Sequence, residues 1–143
     1  QAELLAHLSG GRLGWAVRLH ADPDALEERA QKLDDLRRLL SASHVERFAY
    51  ADRLARENTS DRLQDTLALW SGFWRDVLLA GAAAAAPLTN LDRAAEINLV
   101  ANLIPPNRAR LVLSALGRTS ELLSRNVNAR LALEVLLLDW PRL

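Results

Sequence analysis

Apolar residues recur at helical spacing through most of this 143-residue chain. Between residues 24 and 40 they mark one face of a helix, and charged residues mostly fill the other face. The apolar face consists of Leu26, Ala30, Leu33, Leu36, Leu39 and Leu40. β-Branched residues are few and no stretch alternates apolar with polar residues, so no strand is predicted. The sequence therefore predicts an all-α fold, a bundle of about six or seven helices.

Start and stop signals divide the chain into these helices. Asp22 and Pro23 predict a helix start, with Asp22 as N-cap and Pro23 in the first position. Ser43 followed by Glu46 predicts a capping box. Later helices are expected to start after Ser60, after Thr89 or Asn90, after Asn107 and after the turn at 126–128. The expected ranges are 2–8, 13–19, 24–40, 44–57, from 60 to the alanine-rich stretch at 80–90, 92–104, 108–125 and 129–139.

Composition excludes several classes of protein. The 18 basic and 18 acidic residues balance, which argues against a dedicated nucleic-acid-binding domain. The absence of cysteine excludes disulfides and thiolate metal sites. No secretory signal and no apolar run long enough to span a membrane is visible. A cytoplasmic protein without a membrane partner is expected, and the start at Gln1 suggests a piece of a longer chain.

The stretch "LSGGRLGWAVRL" at 8–19 raises the possibility of a phosphate-binding loop. A Walker-type loop needs a lysine after its last glycine, but the single lysine of the chain, Lys32, lies in a predicted helix. A dinucleotide-binding fingerprint needs a preceding strand, and none is predicted. The stretch is therefore interpreted as a corner between two helices, and no cofactor is expected.

No constellation of residues predicts catalysis or metal binding. Glu3 and His7 are four residues apart, but no second pair of ligands comes after them. Asp34 and Asp35 lie on a charged helical face and are expected to be solvated, with Asp34 pairing with Arg38. No catalytic residue, metal ligand or cofactor-binding residue is assigned.

The strongest remaining signal is the C-terminal run, in which nearly every position from Leu131 to Leu138 is apolar. A helix that is apolar all round must be covered all round. It is either a subunit interface or a central helix of its own bundle. The interface candidates are Arg130, Leu131, Leu133, Leu136, Leu137 and Trp140. A charge introduced at Leu133 or Leu137 is expected to reduce incorporation into the complex while leaving helicity nearly unchanged. Trp70 and Trp74 fall on an apolar stripe and are expected in the core.

Four segments, in order, resemble the delta-prime subunit of the bacterial DNA polymerase III clamp loader. The stretch at 8–19 is similar to the end of its small lid domain. The segment "LWSGFWRDVLLA" at 69–80 is similar to its W-x-R-D segment, and "AAPLTNLDRAAEI" at 85–97 has the usual place after that segment. The last segment, "SRNVNARLALEVLLLDWPRL" at 124–143, resembles its final helix.

The resemblance implies a lid remnant at 1–21 and a helical collar domain at 22–143. It implies a catalytically inactive stator subunit that contacts gamma/tau and delta subunits through its collar, and the sliding clamp and primed DNA only through the whole complex. ATP hydrolysis would lie in the sister subunits. Gly14 stands where the ATPase sisters keep a nucleotide-sensing arginine, so no nucleotide role is implied here.

Two alternatives remain open from the sequence. The first is the collar of an ATPase subunit of gamma/tau type, which the glycine at position 14 disfavours. The second is an unrelated helical DNA-binding or regulatory domain. Its basic strip would consist of Arg108, Arg110, Arg118 and Arg125.

Overall fold

The computed structural model describes residues 22–143, and in that range the chain forms six α-helices and one short 3₁₀ helix with no strand. The helices are α1 (Pro23–Ser41), α2 (His44–Glu57), α3 (Ser60–Gly81), α4 (Ala94–Leu103), α5 (Pro106–Ser124) and α6 (Ala129–Leu138), with the 3₁₀ helix at Leu91–Arg93. The all-α prediction is confirmed. The helices expected at 2–8 and 13–19, and the corner between them, lie outside the described residues.

Local capping explains why several helices begin where they do. Asp22 accepts a hydrogen bond from the backbone N–H of Asp24 at 3.0 Å, with Pro23 in the first turn. The capping box at α2 is complete, because the backbone N–H of Ser43 donates to the Glu46 carboxylate and the Glu46 N–H donates to the Ser43 hydroxyl. Asn128 caps α6 through the N–H of Leu131. The predicted starts of α1 and α2 are confirmed.

Three other predicted caps are wrong. Thr59 rather than Ser60 caps α3, and its hydroxyl accepts a hydrogen bond from the Arg62 N–H. Helix α5 begins at Pro106, so Asn107 lies inside its first turn. Proline suits that first position because its missing N–H would have no helical partner there. Asn90 makes no capping bond because its side chain binds other elements.

Helix α3 is the centre of the bundle and packs against α1, α4 and α5, whereas α2 packs against α6. Trp70, Phe73 and Trp74 of α3 are fully buried, as predicted for the two tryptophans. The ring of Trp140, just beyond α6, contacts both tryptophans edge-on, with centroid separations of 5.2 Å and 5.8 Å. Offset and edge-on arrangements are the favourable ones for aromatic rings. The aromatic cluster therefore joins the C-terminal segment to the centre of the core.

Candidate subunit interface

Helices α5 and α6 form a hairpin whose turn is specified by its asparagines. Asn126 adopts a left-handed conformation with φ 56°, which asparagine tolerates better than most residues. The N–H groups of Asn126 and Val127 donate to the carbonyls of Leu123 and Leu122, the pattern of a Schellman motif. These bonds end α5 and lead the chain into α6, which packs against α5.

One face of α6 is buried and the other is open. Ala132, Leu133, Leu136 and Leu137 lie in the core, and Trp140 is buried beside them. The opposite face exposes Leu131, Val135 and Leu138, with half of the Leu131 side chain and 63% of Val135 accessible. The sequence left two alternatives for this helix, a central helix of the bundle and a subunit interface. The buried face agrees with the first alternative, and the exposed face agrees with the second. Leu133, Leu136, Leu137 and Trp140 are not available to a partner in this fold, whereas Leu131 and the exposed Arg130 are.

A groove of about 460 Å³ runs along the open side of the hairpin. Its walls are mostly apolar and come from both helices and the turn. They include Ala115, Leu122, Val127, Leu131, Val135 and Leu136. Large apolar side chains that stay accessible together in this way are typical of interaction surfaces.

The charged groups at this groove are partly paired. Arg125 binds Glu121 at 2.6 Å across one turn of α5, and both lie at the groove. Arg118 and Asp139 also line it, and neither has an ion-pair partner within residues 22–143. The groove therefore combines an apolar surface with one cation and one anion that have no ion-pair partner in the described part of the chain.

A family model described as DNA polymerase III, delta subunit, C terminal, matches residues 23–142 of the chain. The chain belongs to this family. The family is one of clamp-loader subunits, which gives the chain a part in DNA replication. No curated protein and no solved structure matches the chain. The groove is thus an exposed apolar feature of a domain whose family works within a multi-subunit replication complex.

The clamp-loader domain holds α6 in place through a buried arginine of α2. Arg47, 2% exposed, donates hydrogen bonds to four backbone carbonyls. They belong to Leu39 at 3.0 Å, Leu137 at 2.8 Å, Trp140 at 2.8 Å and Pro141 at 3.1 Å. Leu39 and Leu137 lie in the last turns of α1 and α6, where the carbonyls at the helix end carry partial negative charge. Burial, and secondly the charge of Arg142, lower the pKa of Arg47.

Two segments that carry the clamp-loader resemblance meet each other in space. The carboxylate of Asp76, fully buried on α3, accepts hydrogen bonds from the backbone N–H of Thr89 at 3.0 Å. It also accepts from the backbone N–H and side-chain amide of Asn90, at 2.8 and 2.9 Å. The Asn90 side-chain carbonyl in turn accepts from Arg29 of α1 at 2.6 Å. The acid of the W-x-R-D segment therefore holds the end of the alanine-rich stretch in place.

The expected solvation of the paired carboxylates is wrong for one of them. Asp35 is buried and accepts a hydrogen bond from the Tyr50 hydroxyl at 2.8 Å. It also pairs with Arg38 at 3.0 Å, so Asp34 does not bind Arg38 and instead binds Arg93 at 2.6 Å. Burial, reinforced by the charge of Asp35, raises the pKa of Tyr50. The spacing of charges along α1 could not reveal this, because Tyr50 and Arg93 come from other elements.

Groups that could support chemistry are sparse in the described part of the family domain. Between residues 22 and 143 no cluster of three histidine or acidic side chains could hold a metal ion. In the same range no helix has the length and apolar character needed to cross a membrane. Gly14, Glu3 and His7 lie outside the described residues.

Proposed function

We propose that the chain is the C-terminal part of a delta-prime-type clamp-loader subunit in the cytoplasm. Residues 22–143 are its helical collar domain, and residues 1–21 are the end of its lid domain. The family match over 23–142 supports this division, because it begins at the first residue of α1. The domain packs against gamma/tau and delta subunits, and it reaches the sliding clamp and primed DNA only within the whole complex.

The single observation that carries this function is the open apolar face of the hairpin. The side chains of Leu131 and Val135 stay accessible to water, although their helix is anchored and its other face is packed. Burying such side chains against a partner contributes about 1.5–3 kcal/mol each before the costs of association. In a stator role the subunit contributes packing contacts and its sister subunits hydrolyse ATP. An anchored helix with an exposed apolar face fits that role.

Two observations weigh against the alternatives. The family that matches is described as a delta-subunit family, which weighs against a subunit of gamma/tau type. In the basic strip, the Arg108 guanidinium donates to the carbonyl of Asp139 and Arg125 is bound to Glu121. Half of the proposed DNA-binding cations are therefore already engaged within the domain.

Co-expression with the gamma/tau and delta subunits of the same genome tests the proposal. Native mass spectrometry should find the chain in a clamp-loader complex, and a fluorescent nucleotide should not bind the purified chain. A chain that purifies alone in the presence of both partners would overturn the assignment. So would salt-sensitive binding of duplex DNA by the isolated chain, with a slope of several phosphates.

Leu131→Asp should weaken assembly while leaving the free energy of unfolding within about 0.5 kcal/mol, as is usual for exposed positions. Leu133→Asp cannot serve as an interface test, since Leu133 is fully buried and a charge there should unfold the domain. Leu111→Asp is the matched control, because Leu111 is 57% exposed on α5 and does not line the groove.

A further inference from the structure

We propose that the α5–α6 groove receives one amphipathic helix of a sister clamp-loader subunit, with an acid facing Arg118 and a base facing Asp139. This inference rests on the proposed function and specifies the partner's chemistry. It commits to a helix rather than an extended strand because the groove lies between two helices, and within the described residues there is no sheet edge to extend.

The apolar part of the groove has the pattern that a helix requires. Leu131 and Val135 are four residues apart on α6, and Leu122 faces them from α5. Residues four apart form a ridge on a helix surface, and such ridges pack into the grooves of a neighbouring helix. A partner helix with large apolar side chains every three or four residues would fill the space between the Leu131–Val135 ridge of α6 and Leu122 of α5.

The charged part of the groove selects the partner. Arg118 lies at the groove and forms no ion pair with any described residue, whereas Arg125 is neutralised by Glu121. Asp139, at the C-terminal end of α6, likewise has no cation bound to its carboxylate among residues 22–143. Complementary charges at an interface orient the partner and suppress wrong pairings. A helix that carries both an acid and a base can satisfy both groups at once.

The groove is also held in shape before any partner arrives. Arg47 ties the end of α6 to α1, and the Schellman motif at Asn126 sets the hairpin turn. A preformed site avoids part of the ordering cost of association. Helix α6 is therefore anchored at both of its ends, which suits a permanent packing surface.

Charge reversal in the whole complex tests the charge pattern. Arg118→Glu and Asp139→Arg should each weaken association with the sister subunit, by about threefold to thirtyfold, and the loss should shrink as salt rises. Arg110→Glu is the matched control, since Arg110 is an exposed cation of α5 outside the groove. Equal loss in Arg110→Glu and Arg118→Glu would overturn the charge assignment.

A photo-reactive amino acid identifies the occupant directly. Leu122→p-benzoylphenylalanine, in the chain assembled with gamma/tau and delta, should crosslink to one helical peptide of a sister subunit. That peptide should carry an apolar stripe together with an acid and a base. Crosslinking to a second copy of this chain would overturn the inference. So would the absence of any crosslink to a sister subunit in an intact complex.

The two proposals fail differently. If the unsubstituted chain does not join any clamp-loader complex, the proposed function fails. If it joins, and Leu131→Asp, Arg118→Glu and Leu111→Asp all assemble as well as the unsubstituted chain, the function stands and the groove is the wrong surface.

Discussion

The Arg47 guanidinium donates a hydrogen bond to the carbonyl oxygen of Leu137 at 2.8 Å, although 90 residues separate the two. The same nitrogen binds the Trp140 carbonyl, and the other guanidinium nitrogens bind Leu39 and Pro141. No carboxylate among residues 22–143 binds Arg47, so its charge is compensated by backbone dipoles, among them the ends of two helices. One side chain thus joins α1, α2 and the C-terminal segment.

Arg47→Lys should lower the free energy of unfolding by about 2 kcal/mol or more. A lysine has three donors on one nitrogen and cannot reproduce four bonds directed from a planar fork. Urea denaturation followed by circular dichroism measures the loss. Arg56→Lys is the control on the same helix, because Arg56 is exposed and only loosely paired with Asp52 at 3.8 Å. Equal stabilities of the two variants would show that the four carbonyl bonds contribute little.

Asp76→Asn should destabilise the domain by about 1–3 kcal/mol, because three N–H donors point at the two carboxylate oxygens. An asparagine replaces one oxygen with an NH₂ group and sets donor against donor. Hydrogen exchange should accelerate at the amides of Thr89 and Asn90. Asp65→Asn, at an exposed position of the same helix, should change neither quantity. Unchanged exchange at Asn90 would contradict the proposed fastening of the loop.

Ala83→Gly should stabilise the domain by about 0.5–1 kcal/mol. Ala83 has φ 53°, a left-handed conformation that strains an L-residue with a Cβ and suits glycine. It occupies the C-terminal Schellman position after α3, where the Ala84 N–H donates to the Leu79 carbonyl. Thermal unfolding measures the effect, and Ala85→Gly, outside the left-handed region, should be neutral or destabilising. A lower melting temperature for Ala83→Gly would refute the strain.

Acid should weaken the link between α1 and the 3₁₀ helix. Burial alone would raise the pKa of Asp92, but the hydrogen bonds and charge of Arg29 hold that pKa below its usual value. The backbone N–H of Asp92 and the charge of Arg93 lower the pKa by smaller amounts. A depressed pKa means that the stabilisation is complete above the unfolded-state value and is lost as pH falls through the folded-state value. The stability difference between the unsubstituted chain and Asp92→Asn should therefore be constant above about pH 5 and shrink below about pH 4. Titration of urea unfolding against pH checks this, and a difference that stays constant down to about pH 2 would exclude the linkage.

Helix positions were largely predictable because they depend on local signals. The residues of the Asp22 cap and of the Ser43–Glu46 capping box act within a few positions of one another. The expected burial of Trp70 and Trp74 came from their spacing on one apolar face. Where neighbouring residues compete for the same role, as Thr59 and Ser60 do, the sequence pattern could not choose between them.

The candidate site was only half predictable for a related reason. The run from Leu131 to Leu138 indicates that α6 needs covering, but its periodicity does not say which side the bundle covers. That side is chosen by α2 and the tryptophan cluster, which bury Leu133 and Leu137 and leave Leu131 and Val135 open. Arg47 carried no distinctive signal, because its partners are carbonyl groups that every residue possesses.

The sequence by itself determined the helical class, most helix boundaries and the need of the C-terminal helix for apolar contact, since these depend on contacts within three or four residues. Only the tertiary structure decided that Asp35, Asp76 and Arg47 are buried and satisfied, and which leucines remain in water. Those outcomes depend on groups 8 to 94 residues apart that meet only when the helices pack.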